Sequence, residues 1–221
     1  MNRSMEGKVA LVTGAAAGIG RATAIAFGRE GASVSVCDVD ETGGEETARL
    51  IRDERGEAIY VRADVSKHME VEALVGRTIE AFDRLDFAFN NAGIEGHSDS
   101  TIECTEENWD RVIDIYLKGV WLCMKYEIPQ MLKQGSGAIV NCSSIAGLIG
   151  FQGIPAYTAS KHGILGLTKT AALEYATQGI RVNAVCPGVI RTAMVDRFYR
   201  WLSRGGGATG ERRADGPDGN A

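Results

Sequence analysis

Paired cysteines and clustered histidines are missing from this 221-residue sequence. The five cysteines are scattered without a Cys-x-x-Cys pair, and the three histidines show no metal-ligand spacing. Isolated cysteines are typical of small buried side chains in a reducing compartment. We therefore expect no metal site and no disulfide framework, and we expect a cytoplasmic protein. The cysteines are Cys37, Cys104, Cys123, Cys142 and Cys186.

Excess positive charge and long apolar runs are missing as well. The net charge is −5 and the sequence pI is about 5.3, which argues against a nucleic-acid surface and a basic membrane patch. No apolar run approaches the roughly 18 residues that span a bilayer. The first run, Val9 to Val12, is soon broken by Gly14, so no signal peptide is expected. We predict a protein without nucleic-acid or membrane partners.

Short β-branched runs alternate with longer amphipathic segments along most of the chain. This alternation is typical of a parallel sheet covered by helices. Several of the runs are almost wholly apolar, as expected for strands that are buried on both faces. The sequence predicts an α/β fold, a doubly wound parallel sheet of the Rossmann type with helices on both faces. The predicted strands are 9–13, 33–38, 58–64, 85–90, 138–142 and 181–186, and the predicted helices are 18–30, 42–54, 67–82, 105–134 and 154–178.

The composition divides the chain into two parts. Residues 1–204 carry the alternating pattern, and we expect them to form one domain. Residues 205–221 have no hydrophobic periodicity and are rich in glycine. Such a segment buries too little surface to offset its chain entropy. We therefore predict that this tail is disordered.

A glycine-rich turn follows the first predicted strand and precedes a helix. It contains Gly14, Gly18, Ile19 and Gly20 in a GxxxGxG spacing. Glycines let the backbone approach a pyrophosphate, and the helix N-terminus supplies free N–H groups. The same residues could simply form a tight corner, but the strand before and the helix after favour a dinucleotide site.

The second predicted strand ends in Asp38, which neither Arg nor Lys adjoins in sequence. A carboxylate at this position accepts hydrogen bonds from an adenosine ribose and repels a 2′-phosphate. The alternative is an ordinary solvated aspartate at a strand end. We predict NAD rather than NADP as the cofactor.

Tyr157 and Lys161 stand four residues apart with only small side chains between them. This spacing is about one helical turn, so the two side chains share a helix face. A surface helix with an unremarkable tyrosine and lysine has the same pattern. If the pair is chemical, the ammonium lowers the pKa of the phenol and prepares it for proton transfer.

Taken together, these stretches and several others resemble the short-chain dehydrogenase/reductase family in its compact single-domain branch. The resemblance runs from about Gly7 to Thr192 and implies that residues 1–204 form one dinucleotide-binding and catalytic domain. The joint order and spacing of the motifs make it specific. Besides the residues above, it rests on Asp64-Val65, Asn90-Asn91-Ala92-Gly93, Ser144 and Pro187-Gly188.

The resemblance implies a catalytic group of three residues. Tyr157 would exchange a proton with the substrate oxygen, Lys161 would lower its pKa and hold the nicotinamide ribose, and Ser144 would fix the same oxygen. Ser143 competes with Ser144 for this role in the sequence. The family match favours Ser144.

The resemblance also implies further cofactor contacts. Asp64 and Val65 would meet the adenine, although Asp64 could instead shape the loop before a Ser66 N-cap. The turn formed by Asn91, Ala92 and Gly93 would lie beside the cofactor, with an equal structural role. After the sixth strand, the nicotinamide carboxamide would be met by Val189, Ile190 and Thr192.

The sequence departs from the family pattern at two places. Tyr116 occupies the position of an asparagine that holds a proton-relay water; its hydroxyl could serve the same relay, but its bulk and geometry differ. The family's seventh strand has no counterpart here, so a sixth strand at an exposed sheet edge is expected. Weakened activity and doubtful homo-oligomer formation would follow.

The resemblance thus implies an NAD-dependent enzyme that interconverts an apolar secondary alcohol and a ketone. The alternative, favoured by Tyr116 and the missing strand, is a dinucleotide-binding pseudoenzyme or regulator. A substrate pocket would be walled by Ile94, Leu148, Ile149, Phe151, Ile190 and Met194, although core packing explains several of these residues equally well.

Overall fold

The structure is a computed structural model that describes residues 4–190. Its described part contains one six-stranded sheet in which every neighbouring pair of strands is parallel. The strand order is β3-β2-β1-β4-β5-β6. The order reverses between β1 and β4, the place where a doubly wound sheet opens its ligand crevice. The strands are β1 Val9–Thr13, β2 Ser33–Asp38, β3 Glu57–Arg62, β4 Phe87–Asn90, β5 Gly137–Cys142 and β6 Ile180–Val185.

Helices connect the strands as crossovers and cover both faces of the sheet. The described helices are α1 Gly18–Arg29, α2 Glu41–Asp53, α3 His68–Phe82, α4 Glu106–Ile113, α5 Gly119–Gln134 and α6 Pro155–Tyr175. Among these helices, none combines the length and the apolar character that crossing a bilayer requires. The predicted doubly wound α/β fold is confirmed.

Two apolar cores form on opposite faces of the sheet because successive strand residues point to opposite sides. Leu11 packs in one core with Leu74 of α3 and Ile164 of α6. Val12, the next residue, packs in the other core with Ala48 of α2. All five residues of β1 are buried, which explains the continuous apolar run in the sequence.

The predicted helix over 105–134 is wrong in one respect. The chain forms α4, then a five-residue π-helix at Asp114–Lys118, and then α5. A π turn inserts an extra residue and thereby offsets the faces of the flanking helices. Tyr116 lies in this insertion and is 4% exposed. The local irregularity therefore directs an aromatic ring into the protein.

Several sequence-based expectations lie outside the described residues. They are Thr192, Met194 and the predicted disordered tail at 205–221. Elsewhere the predicted strand ends differ from the observed ones by at most two residues, as for 58–64 against Glu57–Arg62. The predicted Ser66 N-cap is also incorrect, because α3 is capped by Lys67.

Candidate active site

The glycine-rich turn joins β1 to α1 at the carboxyl end of the sheet. Gly14 has a φ of 64°, and a Cβ there would lie 2.7 Å from the Ala92 Cα. A Cβ on Gly20 would collide with the Gly14 carbonyl oxygen, so α1 approaches the turn closely. The N-cap Ala17 makes no side-chain capping bond. The turn therefore presents backbone without protruding side chains, which suits close contact with a phosphate.

The turn after β4 is fastened to the glycine-rich turn by hydrogen bonds. The Asn91 side-chain amide donates to the carbonyl oxygens of Thr13 and Gly14, both at 3.1 Å. The backbone amides of Asn91 and Ala92 donate to Thr13 Oγ1 at 3.0 and 3.1 Å. Thr13 thus holds the two turns together. It is part of the sequence motif, but the motif does not indicate this role.

Asp38 lies at the end of β2 and also braces the glycine-rich turn. Its Oδ2 accepts from the Ala16 amide at 2.9 Å, and its Oδ1 accepts from the Asp40 amide at 3.1 Å. A cation is close by, contrary to the sequence-based view: Arg21 Nη2 donates to the Ala16 carbonyl, and to the Gly43 carbonyl at 3.1 Å. The guanidinium is therefore engaged with backbone carbonyl oxygens of the turn and of α2.

Ser144, Tyr157 and Lys161 meet at the carboxyl end of β5. Ser144 contacts Tyr157 through their side chains, and its Oγ accepts from the Ala146 amide at 3.1 Å. The neighbouring Ser143 hydroxyl donates instead to the Lys161 carbonyl at 2.8 Å and is 2% exposed. Of the two serines, Ser144 has the hydroxyl directed towards the phenol.

Burial dominates the electrostatics of this group. It raises the pKa of Tyr157 above its usual value, and the hydrogen bond with Ser144 opposes that rise. Burial lowers the pKa of Lys161 to about 8. The pKa of Tyr157 is thus raised overall and Lys161 is not among the causes of its shift, so the lowering by Lys161 stays a prediction. The Lys161 ammonium donates to the Cys142 carbonyl at 2.8 Å, and it lies 5.4 Å from the Tyr157 ring centroid.

Tyr116 packs directly against this group. Its ring meets the Tyr157 ring edge-on, with centroids 5.2 Å apart and planes at 84°. The Lys161 Nζ lies 4.2 Å from the Tyr116 ring centroid. The Tyr116 hydroxyl donates to the Ile94 carbonyl at 2.6 Å. Because this hydroxyl is bonded away from Lys161, it is not placed to relay a proton from that amine.

One cleft of about 420 Å³ joins the glycine-rich turn, Asp38 and the Ser144–Tyr157–Lys161 group. Ten of the sequence-predicted site residues line it: Gly14, Gly18, Ile19, Asp38, Asn91, Gly93, Ser144, Tyr157, Lys161 and Ile190. The motifs are far apart in sequence, yet all lie at the carboxyl edge of the sheet, where ligands of doubly wound folds bind. The cleft can hold an extended molecule between the turn and the phenol.

Five predicted site residues are described outside the lining of this cleft: Gly20, Asp64, Val65, Ala92 and Val189. Val65 is 5% exposed and packs in a small core with Leu122. The Asp64 carboxylate accepts from the Ser66 amide at 2.9 Å and from its hydroxyl at 2.7 Å. Asp64 therefore shapes its loop, which was the alternative considered from the sequence.

Other lining residues were not singled out as site residues from the sequence. They are Ala16, Ala17, Asp40, Tyr116, Cys142, Ser143, Pro187 and Gly188. Most stand directly beside a predicted site residue, so a search one or two positions either side of each motif finds them. Tyr116 was noted only as a departure from a pattern. Its place between Tyr157 and Lys161 depends on the π turn, for which the sequence carries no clear signal.

Comparisons with known proteins agree with this geometry. A family model described as short chain dehydrogenase matches residues 8–203. Cyclohexanol dehydrogenase of Acinetobacter sp. (strain SE19) is 46% identical over 198 residues, which is 90% of this chain and 79% of that relative. Levodione reductase of Leifsonia aquatica is 42% identical over 197 residues, covering 88% of this chain and 74% of that enzyme.

A solved structure supports the same assignment. The crystal structure of levodione reductase superposes with a TM-score of 0.89 and 40% identity, covering 90% of this chain and 78% of that chain. Both the fold and the sequence therefore agree with the motifs that meet in the cleft. The chain belongs to the short-chain dehydrogenase/reductase family.

Proposed function

We propose that this chain is an NAD-dependent oxidoreductase that interconverts an apolar secondary alcohol and the corresponding ketone. The observation that carries the proposal is the convergence of Ser144, Tyr157 and Lys161 on the cleft that begins at the glycine-rich turn. Membership of the family supplies the coarser statement, an oxidoreductase that uses a nicotinamide dinucleotide. The choice of NAD, the substrate and the role of each residue belong to the proposal.

The residues of the cleft fit a dinucleotide. A Cβ at position 14 would reach the backbone of Ala92, so glycine is needed for the close packing of the turn that would bind the pyrophosphate. Asp38 would hold the adenosine ribose and Lys161 the nicotinamide ribose. Further contacts are assigned to Gly18, Ile19, Gly20, Asp64, Val65, Asn91, Ala92, Gly93, Val189, Ile190 and Thr192. When bound, the nicotinamide accepts or supplies the hydride.

The residues of the chain would handle the substrate oxygen and its proton. The Ser144 hydroxyl would donate to a substrate carbonyl and fix its orientation beside the phenol. In ketone reduction, the Tyr157 hydroxyl would give its proton to this oxygen; in alcohol oxidation, the phenolate would take the proton back. Burial raises the pKa of Tyr157, which disfavours the phenolate that alcohol oxidation requires.

The nature of the substrate follows from the apolar surface near the cleft. Four large hydrophobic residues are well exposed: Ile190 in the lining of the cleft, and Leu148, Ile149 and Phe151 in the segment that follows Ser144. Exposed apolar side chains beside a cleft favour an apolar ligand. The names of two relatives, cyclohexanol dehydrogenase and levodione reductase, refer to cyclic compounds. We therefore propose a cyclic alcohol or ketone as substrate.

The absorbance of NADH tests this function directly. The protein is incubated with NAD and a panel of cyclic and linear secondary alcohols, and with NADH and the matching ketones. We expect turnover with at least one cyclic pair and less with linear compounds of equal carbon number. NADH binding without turnover across the panel would instead support the second candidate, a dinucleotide-binding pseudoenzyme. The observation that favours this candidate is the Tyr116 hydroxyl, bonded to Ile94 and removed from any relay.

Cofactor choice is expected to depend on the charge of Asp38. NAD should bind more tightly than NADP because this carboxylate faces the cleft and repels a 2′-phosphate. Asp38→Asn removes the charge but keeps an acceptor for the Ala16 or Asp40 amide. This substitution should reduce the preference for NAD over NADP by about 10- to 100-fold, the effect of losing one charged interaction. Fluorescence titration of both reduced cofactors measures the ratio.

A second variant separates charge from loop structure. Asp38→Ala also removes both hydrogen bonds that brace the glycine-rich turn. We expect Asp38→Ala to reduce the preference for NAD over NADP as much as Asp38→Asn does, and also to weaken the binding of both cofactors. Tighter binding of NADP than NAD by the unmutated protein would contradict the assignment of Asp38.

A further inference from the structure

The buried ring of Tyr116 occupies the centre of the candidate active site. Tyr116 lies in the π-helix between α4 and α5, and its side chain is held by two contacts. The hydroxyl donates to the Ile94 carbonyl at 2.6 Å, and the ring lies against the backbone of Gly93. A Cβ on Gly93 would lie 2.7 Å from the Tyr116 Oη, so this close packing requires glycine. The ring therefore has a fixed position rather than filling space loosely.

The face of this ring is directed at the ammonium of Lys161. The Nζ lies 4.2 Å from the ring centroid, well within the roughly 6 Å over which a cation is attracted to an aromatic face. Lys161 is 3% exposed, and none of the ion pairs between described residues includes it. Its hydrogen-bond partner is a neutral group, the Cys142 carbonyl at 2.8 Å.

The other titratable side chains that surround this ammonium are two thiols and a phenol. The two thiols, Cys142 at the end of β5 and Cys186 after β6, face Lys161. Burial raises the pKa of the Cys142 thiol and thus disfavours its thiolate. Burial also raises the pKa of Tyr157, on the same helix as Lys161. Among the groups around the ammonium, the face of the Tyr116 ring is the one that can take the place of a counter-ion, because it carries partial negative charge.

We propose that Tyr116 is a positioning residue whose ring face holds the Lys161 ammonium, in its charged form, beside Tyr157. The hydroxyl of Tyr116 then acts as an anchor for the ring through Ile94 and takes no part in proton transfer. The contribution of Tyr116 to turnover rests on the proposed function, because it acts through Lys161. The effect on Lys161 itself does not depend on any reaction.

Titration of Lys161 by NMR tests the proposal without an activity assay. The side-chain carbon next to Nζ is followed with pH in protein labelled at lysine, without added cofactor. Tyr116→Phe keeps the ring face and should leave the Lys161 pKa nearly unchanged. Tyr116→Leu removes the ring face and should lower that pKa by about one pH unit, as expected for the loss of a desolvated cation–π contact.

A series of fluorinated rings separates electrostatics from packing. Phenylalanine with one, two or three ring fluorines at position 116 keeps the shape but progressively weakens the negative ring face. The Lys161 pKa should fall stepwise along this series. The series also keeps the proposal testable if Tyr116→Leu does not fold.

A matched control lies on the surface of α5. Lys125 Nζ is 5.3 Å from the Trp121 ring centroid, and Trp121 is 45% exposed. Trp121→Leu removes this contact outside the cleft and should leave both the Lys161 titration and turnover unchanged. If the enzyme is active, the alkaline decline of its ketone reduction should begin at a lower pH in each Tyr116 variant that lowers the Lys161 pKa.

The results distinguish this proposal from the proposed function. A Lys161 pKa that is unchanged or raised across the fluorinated series would overturn the role of Tyr116, whatever the activity. A stepwise fall in a protein that turns over none of the tested alcohols or ketones would support the role of Tyr116 and count against the proposed reaction.

Discussion

Replacing Tyr157 with phenylalanine is expected to lower turnover by about 10²- to 10⁴-fold, the usual loss for a general acid or base. Only the hydroxyl is removed, so the edge-on contact between the Tyr157 and Tyr116 rings is retained. The affinity for NADH should therefore stay close to that of the unmutated protein. Steady-state rates with the best ketone and fluorescence titration of NADH measure the two quantities separately.

The same helix offers a control for this substitution. Tyr175 lies at the far end of α6 and packs partly buried against the apolar core. Tyr175→Phe also deletes one phenolic hydroxyl, but outside the cleft, and should leave turnover unchanged. Near-normal turnover of Tyr157→Phe would show that another group moves the proton.

The pH dependence of the reaction should differ between its two directions. Ketone reduction requires the protonated phenol and should decline as pH rises through the Tyr157 pKa. Alcohol oxidation requires the phenolate and should increase over the same range. Because burial raises this pKa, we expect the fall in the rate of reduction and the rise in the rate of oxidation to occur at alkaline pH. Rates in both directions across pH, compared with the residual rates of Tyr157→Phe, measure this contribution.

Glu127→Gln is expected to stabilise the protein strongly at pH 8 and little at pH 5. Glu127 is fully buried in α5, and its Oε2 accepts from the Asn90 side-chain amide at 3.1 Å. Its Oε1 has no hydrogen-bond partner among the described residues. Burial raises the pKa of this carboxyl to about 7. The charged form is therefore costly in this place, whereas glutamine is neutral at every pH.

The sign of the effect follows from proton binding. The folded protein holds a proton on Glu127 more tightly than the unfolded chain does. Stability is therefore lost as pH rises from the ordinary glutamate pKa to about 7, and the full loss remains above it. Removing the charge should add on the order of 2 kcal/mol at pH 8, or roughly 4–8 °C in Tm.

Thermal unfolding of the variant and the unmutated protein at pH 5 and pH 8 measures this difference. Glu72→Gln is a suitable control because Glu72 is an exposed carboxylate on α3, where neutralisation should matter little at either pH. Equal effects of Glu127→Gln at the two pH values would mean that the buried carboxyl is not the titrating group. The assignment would then fail.

Local patterns in the sequence were sufficient for the fold and for most of the cleft. Strands buried on both faces read as continuous apolar runs, and the observed β1 and β2 match the predicted 9–13 and 33–38. The glycine-rich turn was identified because its spacing and its context, between a strand and a helix, are both local. Motifs that follow parallel strands all lie at the carboxyl edge of the sheet. A parallel sheet is therefore enough to predict that these motifs meet.

The tertiary structure decided which neighbours each side chain meets. Ser143 and Ser144 are adjacent in sequence, but one hydroxyl donates to the Lys161 carbonyl whereas the other contacts Tyr157. The buried polar group below the cleft is a further case, since its members come from two strands and two helices. They are Asn90, Glu127, Asn141 and Thr168.

Tyr116 shows most clearly why the surroundings of a side chain could not be predicted from the sequence. From its residue type and position in the sequence, it was read as a departure whose hydroxyl could relay a proton. The π turn carries the ring inward, Ile94 takes the hydroxyl, and the ring face meets Lys161. Secondary structure and binding motifs depend on near neighbours in the chain, so the sequence by itself determined them. The pKa of a buried group depends on desolvation and on partners brought from distant segments, so only the tertiary structure could decide it.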